Sequence, residues 1–327
     1  MEAIGSAVAG YLEVVVLSTP PPPWEDPSLF AQQVLSGIAT GSLFAILALA
    51  LVLIYRSTDV LNFGQGEMAM FTTFIAWSLM TRLDLWTAFF LTLFVAALIG
   101  AALERLVLRP VEEAPVLNAV IVTLGLFTIF NGLALRIWGS LPKGFGPFSL
   151  DFLFFEIDLA GPVCAGDVCI GKLSVATLVA AVIIMALLFA LFQRTMLGLA
   201  MRASAQNRTA SRLVGIPVGR MLSIGWGLSA AVGAVAGIFV AQNVGLSTGS
   251  LAAILIFAFA AAVLGGLDSP VGAIVGGLTI GVVRNLAGTY VPSEVGSVDL
   301  LVAFALIVLV LMVRPTGIFG RRALRRV

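Results

Sequence analysis

The chain has no histidine and only two cysteines in 327 residues, which leaves a zinc or haem site without its usual ligands. Charge is scarce as well. Only 11% of the residues are Asp, Glu, Lys or Arg against 60% hydrophobic, too little polar surface for a water-soluble fold to cover its apolar mass. The formal net charge of +1 offers no electrostatic attraction for nucleic acid. No Gly-x-x-x-x-Gly-Lys-[Ser/Thr] phosphate loop occurs, so the chain cannot use ATP by that route. No nucleophile has a base partner at a workable spacing, which counts against an intramembrane enzyme and leaves no resident cofactor expected.

What the chain has instead is apolar sequence in blocks. A bilayer-crossing helix needs about 20 mostly apolar residues. Blocks of that kind recur nine times: Leu29–Tyr55, Gly66–Met80, Leu85–Leu103, Val116–Ile137, Ser174–Phe192, Met221–Val244, Leu251–Leu267, Val271–Arg284 and Asp299–Val313. The runs are continuous and lack the two-residue alternation of a membrane barrel. The expected class is all-α, a polytopic helical membrane protein surrounded by lipid, with about nine transmembrane segments.

Basic residues set the orientation, because loops rich in Arg and Lys stay in the cytoplasm. With the Arg194–Arg220 loop inside, thirteen basic residues fall inside and five outside (Arg82, Arg136, Lys143, Lys172 and Arg284). That places the N-terminus outside and the C-terminus in the cytoplasm. Residues 1–28 contain a short apolar run interrupted by Glu13 and followed by Pro20–Pro23, which reads as an interfacial segment. Residues 29–320 form the membrane domain, and 321–327 are a basic cytoplasmic tail. Cys164 and Cys169 both lie in the outer segment Trp138–Lys172, where an oxidising exterior permits a disulfide; two free thiols are the alternative.

Two helices are interrupted in a similar manner. One reaches Asp59, passes through Leu61-Asn62-Phe63-Gly64-Gln65-Gly66-Glu67, and re-enters as a short helix. The other ends near Leu264, passes through Gly265–Pro270, and re-enters as a short, Gly-rich stretch to Val283, so two broken or short helices are expected. Both breaks are expected on the inner side. The helices leading into them share Thr-Gly-Ser-Leu followed by Ala-Ile-Leu, at Thr40–Leu47 and Thr248–Leu255, which reads as an internal repeat of the kind transporters often carry, with chance similarity between two Ala/Leu-rich helices as the alternative. Glycine pairs at Gly37/Gly41, Gly233/Gly237, Gly272/Gly276 and Gly277/Gly281 supply faces for close helix packing.

Irregular backbone is tolerated at membrane depth only where protein buries it or a wet cavity meets it. Asn62, Phe63, Gln65 and Glu67 are therefore the candidate substrate-pathway residues. The free N–H groups opening the short helix suit a carboxylate, whether a substrate's or that of Glu67 itself. Capping by Asn62 and Glu67 is an equally good reading and is compatible with a pathway role. The inner loop 193–220 carries small residues and arginines at helical spacing, stopped by Gly215 and Pro217, and reads as a short amphipathic cytoplasmic helix. Arg136 and Arg284 read as interfacial anchors more than as substrate ligands.

Leu61–Met68, taken with Arg202-Ala203-Ser204-Ala205-Gln206-Asn207 and Ala210–Ile216, resembles the branched-chain amino acid permeases of bacterial ABC importers, the LivH-like branch. The resemblance runs from Leu29 to Gly320 and includes Leu264-Gly265-Gly266 and Arg314-Pro315-Thr316-Gly317-Ile318-Phe319-Gly320. It implies a permease subunit in the bacterial cytoplasmic membrane, paired with a second homologous permease, two cytoplasmic ATPase subunits and an extracytoplasmic solute-binding protein. ATP would be used by the partner subunits. It further implies an ATPase-coupling role for Arg202, Ala203, Ala205, Gln206, Asn207, Arg208 and Gly215. The leading Glu of the family's coupling loop is absent, with Arg202-Ala203 in its place. Alternatives are an ion-coupled secondary transporter, for which membrane-embedded acids are scarce, and an ABC permease for urea or short amides. A passive channel would need polarity repeated along its lining, which these helices lack.

Overall fold

The computed structural model describes residues 22, 25–58, 60–111, 114–145, 149–152, 155–158, 161–165, 168–291, 298–314 and 316–320. Most of the expected interfacial segment 1–28 and the basic tail 321–327 lie outside them. Eleven α-helices are present among the described residues. In chain order they are α1 (Pro27–Thr58), α2 (Gln65–Met80), α3 (Leu85–Leu103), α4 (Val116–Trp138), α5 (Lys172–Arg194), α6 (Met196–Gln206), α7 (Arg208–Leu213), α8 (Val218–Val244), α9 (Ser250–Gly265), α10 (Pro270–Tyr290) and α11 (Val298–Val313). A helix stands at each of the nine expected spans. Six are long and apolar enough to cross a bilayer: α1, α3 with its continuation to Val111, α4, α5, α8 and α10. The short ones include α2 and α9, of 16 residues each, so the second short helix is α9 and not the 21-residue α10 that follows it.

The fold is not purely helical. Ser149–Phe152 (β1) pairs with Phe155–Asp158 (β2), and Pro162–Ala165 (β3) pairs with Val168–Gly171 (β4), both antiparallel. Phe, Ile and Val are frequent in these short runs, and such residues favour strands once the chain has left lipid. Cys164 and Cys169 face each other across β3 and β4 and are joined by a disulfide. Gln32 of α1 clamps this hairpin: its Nε2 donates to Cys169 O (2.8 Å) and its Oε1 accepts from Cys169 N (2.7 Å).

At the centre stands α1. Its residues from Gly41 to Ile54 are buried without interruption, as expected of a helix apolar on every side. It packs most extensively on α10, and two of the glycine pairs meet there. A Cβ on Gly277 would lie 2.5 Å from Ala45 Cα, and one on Gly41 would lie 2.7 Å from Gly277 O. Side chains at these positions would hold the backbones apart and forfeit the contacts that replace hydrophobic driving force in lipid. Most of α8 is buried too, whereas α3, α4 and α5 expose most of their apolar surface at the periphery. Phe90, Phe94, Leu117, Ile121, Val179 and Leu187 are among the exposed side chains.

The Thr-Gly-Ser-Leu words of the suspected repeat fall on unlike backbone. Gly41 lies inside α1, whereas Gly249 takes a left-handed φ of +82° just before α9.

Candidate pathway and coupling site

Between Thr58 and Gln65 the chain turns back into the bundle. Gln65 donates from Nε2 to Ser229 O (3.3 Å), and the Ser229 hydroxyl donates to Ala50 O (2.7 Å). Ala50 lies eight residues before the end of α1 and Ser229 eleven after the start of α8, so α2 starts about 12–16 Å inside those helix ends at 1.5 Å per residue. The start of α2 therefore lies well inside the ends of α1 and α8, a depth that the expectation of an inner-side break leaves open. Continuous apolar sequence reports a span's length but not the depth at which a broken one restarts.

The break is held by its own side chains. Asn62 Oδ1 accepts from Gly64 N (3.0 Å), and its Nδ2 donates to Gln65 Oε1 (3.2 Å). The carbonyl of Asn62 also accepts from Gln65 N (3.2 Å). Neither Asn62 nor Glu67 is the cap of α2. That position belongs to Gly64, which makes no side-chain cap bond. Glu67, 0% exposed, takes a bond on Oε2 from Asn131 Nδ2 of α4 (3.2 Å), while its Oε1 has no partner among the described residues. Asn62 and Gln65 are likewise buried; Phe63 is half-buried and packs on Phe259 of α9, ring centroids 5.3 Å apart. A Cβ on Gly64 would stand 3.0 Å from Thr123 O of α4, and one on Gly66 3.2 Å from Leu251 O of α9. The turn is thus wedged between α4, α8 and α9, and α9 itself starts beside it, with Gly249 N donating to Met70 Sδ (3.2 Å). The fold brings Asn62 and Gln65 together with Ser229, whereas Glu67, two residues further along α2, turns to Asn131 of α4.

The loop expected to be one amphipathic helix is two. Asn207 ends α6 and opens α7, its Oδ1 accepting from Ala210 N (2.9 Å) with extended backbone between them. Asparagine is a strong N-cap, and here capping prevails over helical continuity. At its far end α7 stops at Gly215, whose φ is +83°. Ala205, Gln206 and Asn207 are exposed, as are Leu213 (84%) and Val214 (76%). Arg202 and Ala203 are half-buried, and Arg202 Nη1 donates to Gln193 Oε1 (3.2 Å).

Arg208 joins the two regions. Its Nη2 donates to Thr58 O (3.0 Å), the last residue of α1 before the break. Beside it, α3 continues through a π-turn (Glu104–Leu108) that presents Glu104 to Arg109. Arg109 binds the buried Glu104 in a fork (Nη2–Oε2 2.8 Å, Nε–Oε1 3.2 Å) and also donates to Gly219 O (2.7 Å). Ser223 donates to the same Glu104 oxygen, so α3 is pinned to the first turns of α8. Glu104 and Arg109 are five residues apart, a spacing that a regular α-helix does not bring together and that the π-turn does, so the sequence signals neither the pair nor its backbone acceptors. At the opposite end of the bundle Arg284, half-buried, packs on aromatic rings. It lies 5.0 Å from the ring centroid of Phe257, itself stacked on Phe44.

Residues 33–311 match the family described as branched-chain amino acid transport system, permease component. The chain belongs to this family. The permease is 30% identical over 311 residues to the high-affinity branched-chain amino acid transport system permease protein LivH of Escherichia coli (strain K12), covering 91% of this chain and 98% of that protein. It is equally similar to the corresponding protein BraD of Pseudomonas aeruginosa, over 313 residues, with the same coverage. It is 30% identical over 292 residues to a probable LivH of Methanocaldococcus jannaschii, covering 86% and 90% of the two chains. Among solved structures, PsaBC from Streptococcus pneumoniae in complex with Fab aligns with 86% of the permease and 91% of that chain, at 15% identity and a TM-score of 0.45.

Proposed function

We propose that this permease is the transmembrane subunit of an ATP-driven importer that carries branched-chain amino acids into the cell. It crosses the cytoplasmic membrane nine times, with the hairpins outside and the α6–α7 loop and C-terminus inside. It works with a second homologous permease, two cytoplasmic ATPase subunits and an extracytoplasmic solute-binding protein, and the ATP is bound by the ATPase subunits. The disulfide between Cys164 and Cys169 agrees with an outer position for the hairpins.

The observation that carries this reading is the bond from Arg208 to Thr58 O. It ties a loop with an exposed apolar and polar rim to the end of the helix that leads into the buried break. A partner that docks on Ala205, Gln206, Asn207, Leu213 and Val214 can pull on α7, and the pull reaches Thr58 through one side chain. The backbone from Val60 to Gly64 is not helical, so it can take up the displacement without breaking a helix. Gln65 then parts from Ser229 and opens the α2 end of the pathway, while Arg109 and Glu104, bonded to Gly219 and Ser223, keep α3 and α8 moving as one body. Phe63, Gln65 and Glu67 line the route of the solute in that opened arrangement.

Deleting Ala203–Gly215 is expected to leave membrane insertion intact and abolish association with the ATPase subunits. Recovery of normal amounts of ATPase with that variant on affinity purification contradicts the docking assignment.

A further inference from the structure

Where α3 passes into its π-turn and α8 begins, the two helices bound a groove of about 390 Å³, lined by Arg105 and Arg109 on one side and by Arg220, Ser223 and Ile224 on the other. Its charges differ in what holds them. Arg109 is forked on Glu104 and the Ser223 hydroxyl donates to the same carboxylate, so these three groups satisfy one another. Arg105 and Arg220 are exposed, and among the described residues neither makes a hydrogen bond or an ion pair. Every residue that adjoins the lining in the sequence is described, and Glu104 is the single acid among them. Two guanidiniums in this groove therefore lack a counter-charge.

A guanidinium is a rigid fork of N–H donors that matches the oxygens of a phosphate. Position decides where the phosphate comes from. Both helices are long and apolar enough to cross a bilayer, and the groove lies at the ends of their apolar spans, with Arg105 two residues beyond Leu103 and Arg220 two after Val218. Phe94 and Leu98 precede Arg105 by eleven and seven residues, spacings that put all three on one face of α3, and they are 61% and 53% exposed. At 1.5 Å per residue they lie about 16 and 10 Å from Arg105, toward the middle of the span. Leu106, next to Arg105, is also exposed. A headgroup phosphate held between Arg105 and Arg220 thus continues into acyl chains laid on an apolar face, which a soluble anion would leave uncovered. Basic pockets between membrane helices on the cytoplasmic side take anionic headgroups in this manner.

We propose that this groove binds the phosphate of an anionic phospholipid of the inner leaflet, and that the bound lipid clamps the π-turn of α3 to the first turns of α8. The importer reading enters only through the inner orientation of this end. Glu104 and Arg109 already tie the two helices from within the chain. The lipid adds a second link from outside it, one whose strength follows the charge of the membrane.

Native mass spectrometry of the full-length permease, alone and assembled with its partner permease and ATPase subunits, tests the site. The probe is dioleoylphosphatidylglycerol, and dioleoylphosphatidylcholine, with the same chains and no net charge, is the comparison. The expected result is saturable phosphatidylglycerol binding in both samples, at least tenfold tighter than phosphatidylcholine, with a raised thermal midpoint. Arg105→Gln and Arg220→Gln should each weaken binding about fivefold, the worth of one cation beside an anionic lipid surface, and about 25-fold together with loss of the thermal shift. Both side chains are exposed and unpartnered among the described residues, so the variants should fold. Arg194→Gln, which removes an exposed arginine at the end of α5 outside the groove, should change nothing. Equal binding of the two lipids, unchanged binding in both groove variants, or an equal loss in Arg194→Gln overturns the proposal. So does displacement by equimolar inorganic phosphate, which marks a site for free anions, or binding to the permease alone that vanishes in the complex, which marks a subunit interface. A complex that imports leucine yet shows no preference between the lipids overturns the lipid site alone. A permease that holds the lipid at these arginines yet recovers no ATPase subunit overturns the importer reading alone.

Discussion

Arg208→Ala is the substitution that most sharply separates coupling from assembly. The guanidinium Nη2 lies 3.0 Å from Thr58 O at a part-buried position. A hydrogen bond that involves a charged group contributes about 1.5–3 kcal/mol, equivalent to a factor of roughly 10 to 150 in the balance between linked and unlinked arrangements. Arg208 makes at least one further interaction, so this range is a lower bound for its removal. If the bond transmits motion from α7 to the break, the substitution lets the ATPase subunits dock and turn over while the break ceases to follow. In proteoliposomes with the whole complex, solute uptake per ATP hydrolysed should fall at least tenfold, with hydrolysis held within about twofold of the unsubstituted complex. Arg208→Lys keeps the charge but not the planar fork, and should be intermediate. Uptake per ATP that stays unchanged in Arg208→Ala refutes the reasoning. So does a loss of ATPase binding that matches the loss of uptake, since Arg208 would then be a docking residue and not a link.

Arg109→Ala leaves the buried Glu104 without its cation, at a cost below the ~3–5 kcal/mol of a fully buried pair because Arg109 is 36% exposed. The thermal midpoint of the detergent-purified permease should drop clearly, and replacing Glu104 by Gln in the same chain should recover part of the loss. Gly277→Leu drives a side chain into the Ala45 backbone, and overpacking of this kind costs about 1–3 kcal/mol or more. The matched control Gly132→Ala meets no atom within 4 Å and should leave thermal stability unchanged or slightly raised. Asp84, the N-cap of α3, accepts from Thr87 N (3.0 Å), and this bond holds its carboxyl below the usual carboxylate range. A depressed folded-state value means the cap's contribution is complete above the ordinary carboxylate pKa and disappears as pH falls through the lowered one. Asp84→Asn should therefore flatten that part of the acid limb in a stability–pH profile.

The positions of the membrane helices were legible because each is fixed by the length of an apolar run, a property of neighbouring residues. The glycine pairs were legible for a similar reason, and the structure sets Gly37 and Gly41 of α1 against Gly277 and Gly281 of α10. Depth was not legible. Gln65 is placed by Ser229 and Ser229 by Ala50, contacts separated by more than 160 residues and made to backbone carbonyls, which every residue possesses. Asn207 shows a different limit: its capping of α7 competes with an unbroken helical pattern, and only the packed loop decides between them. The strands at 149–171 were missed because the surrounding helical sequence set the expectation, and a two-stranded pairing between runs of four residues leaves little pattern of its own. Glu67 was singled out as a rare acid in apolar sequence, yet its partner Asn131 lies 64 residues away on a helix with no other mark of function.

The central claim is that this chain carries branched-chain amino acids inward only when driven by ATPase subunits docked on the α6–α7 loop. Uptake of radiolabelled L-leucine into proteoliposomes that hold the permease, its partner permease and the ATPase subunits, with the solute-binding protein outside and ATP inside, measures it directly. The account predicts concentrative uptake that stops when ATP is omitted or vanadate is added. Uptake that persists without ATP and follows an imposed ion gradient contradicts it.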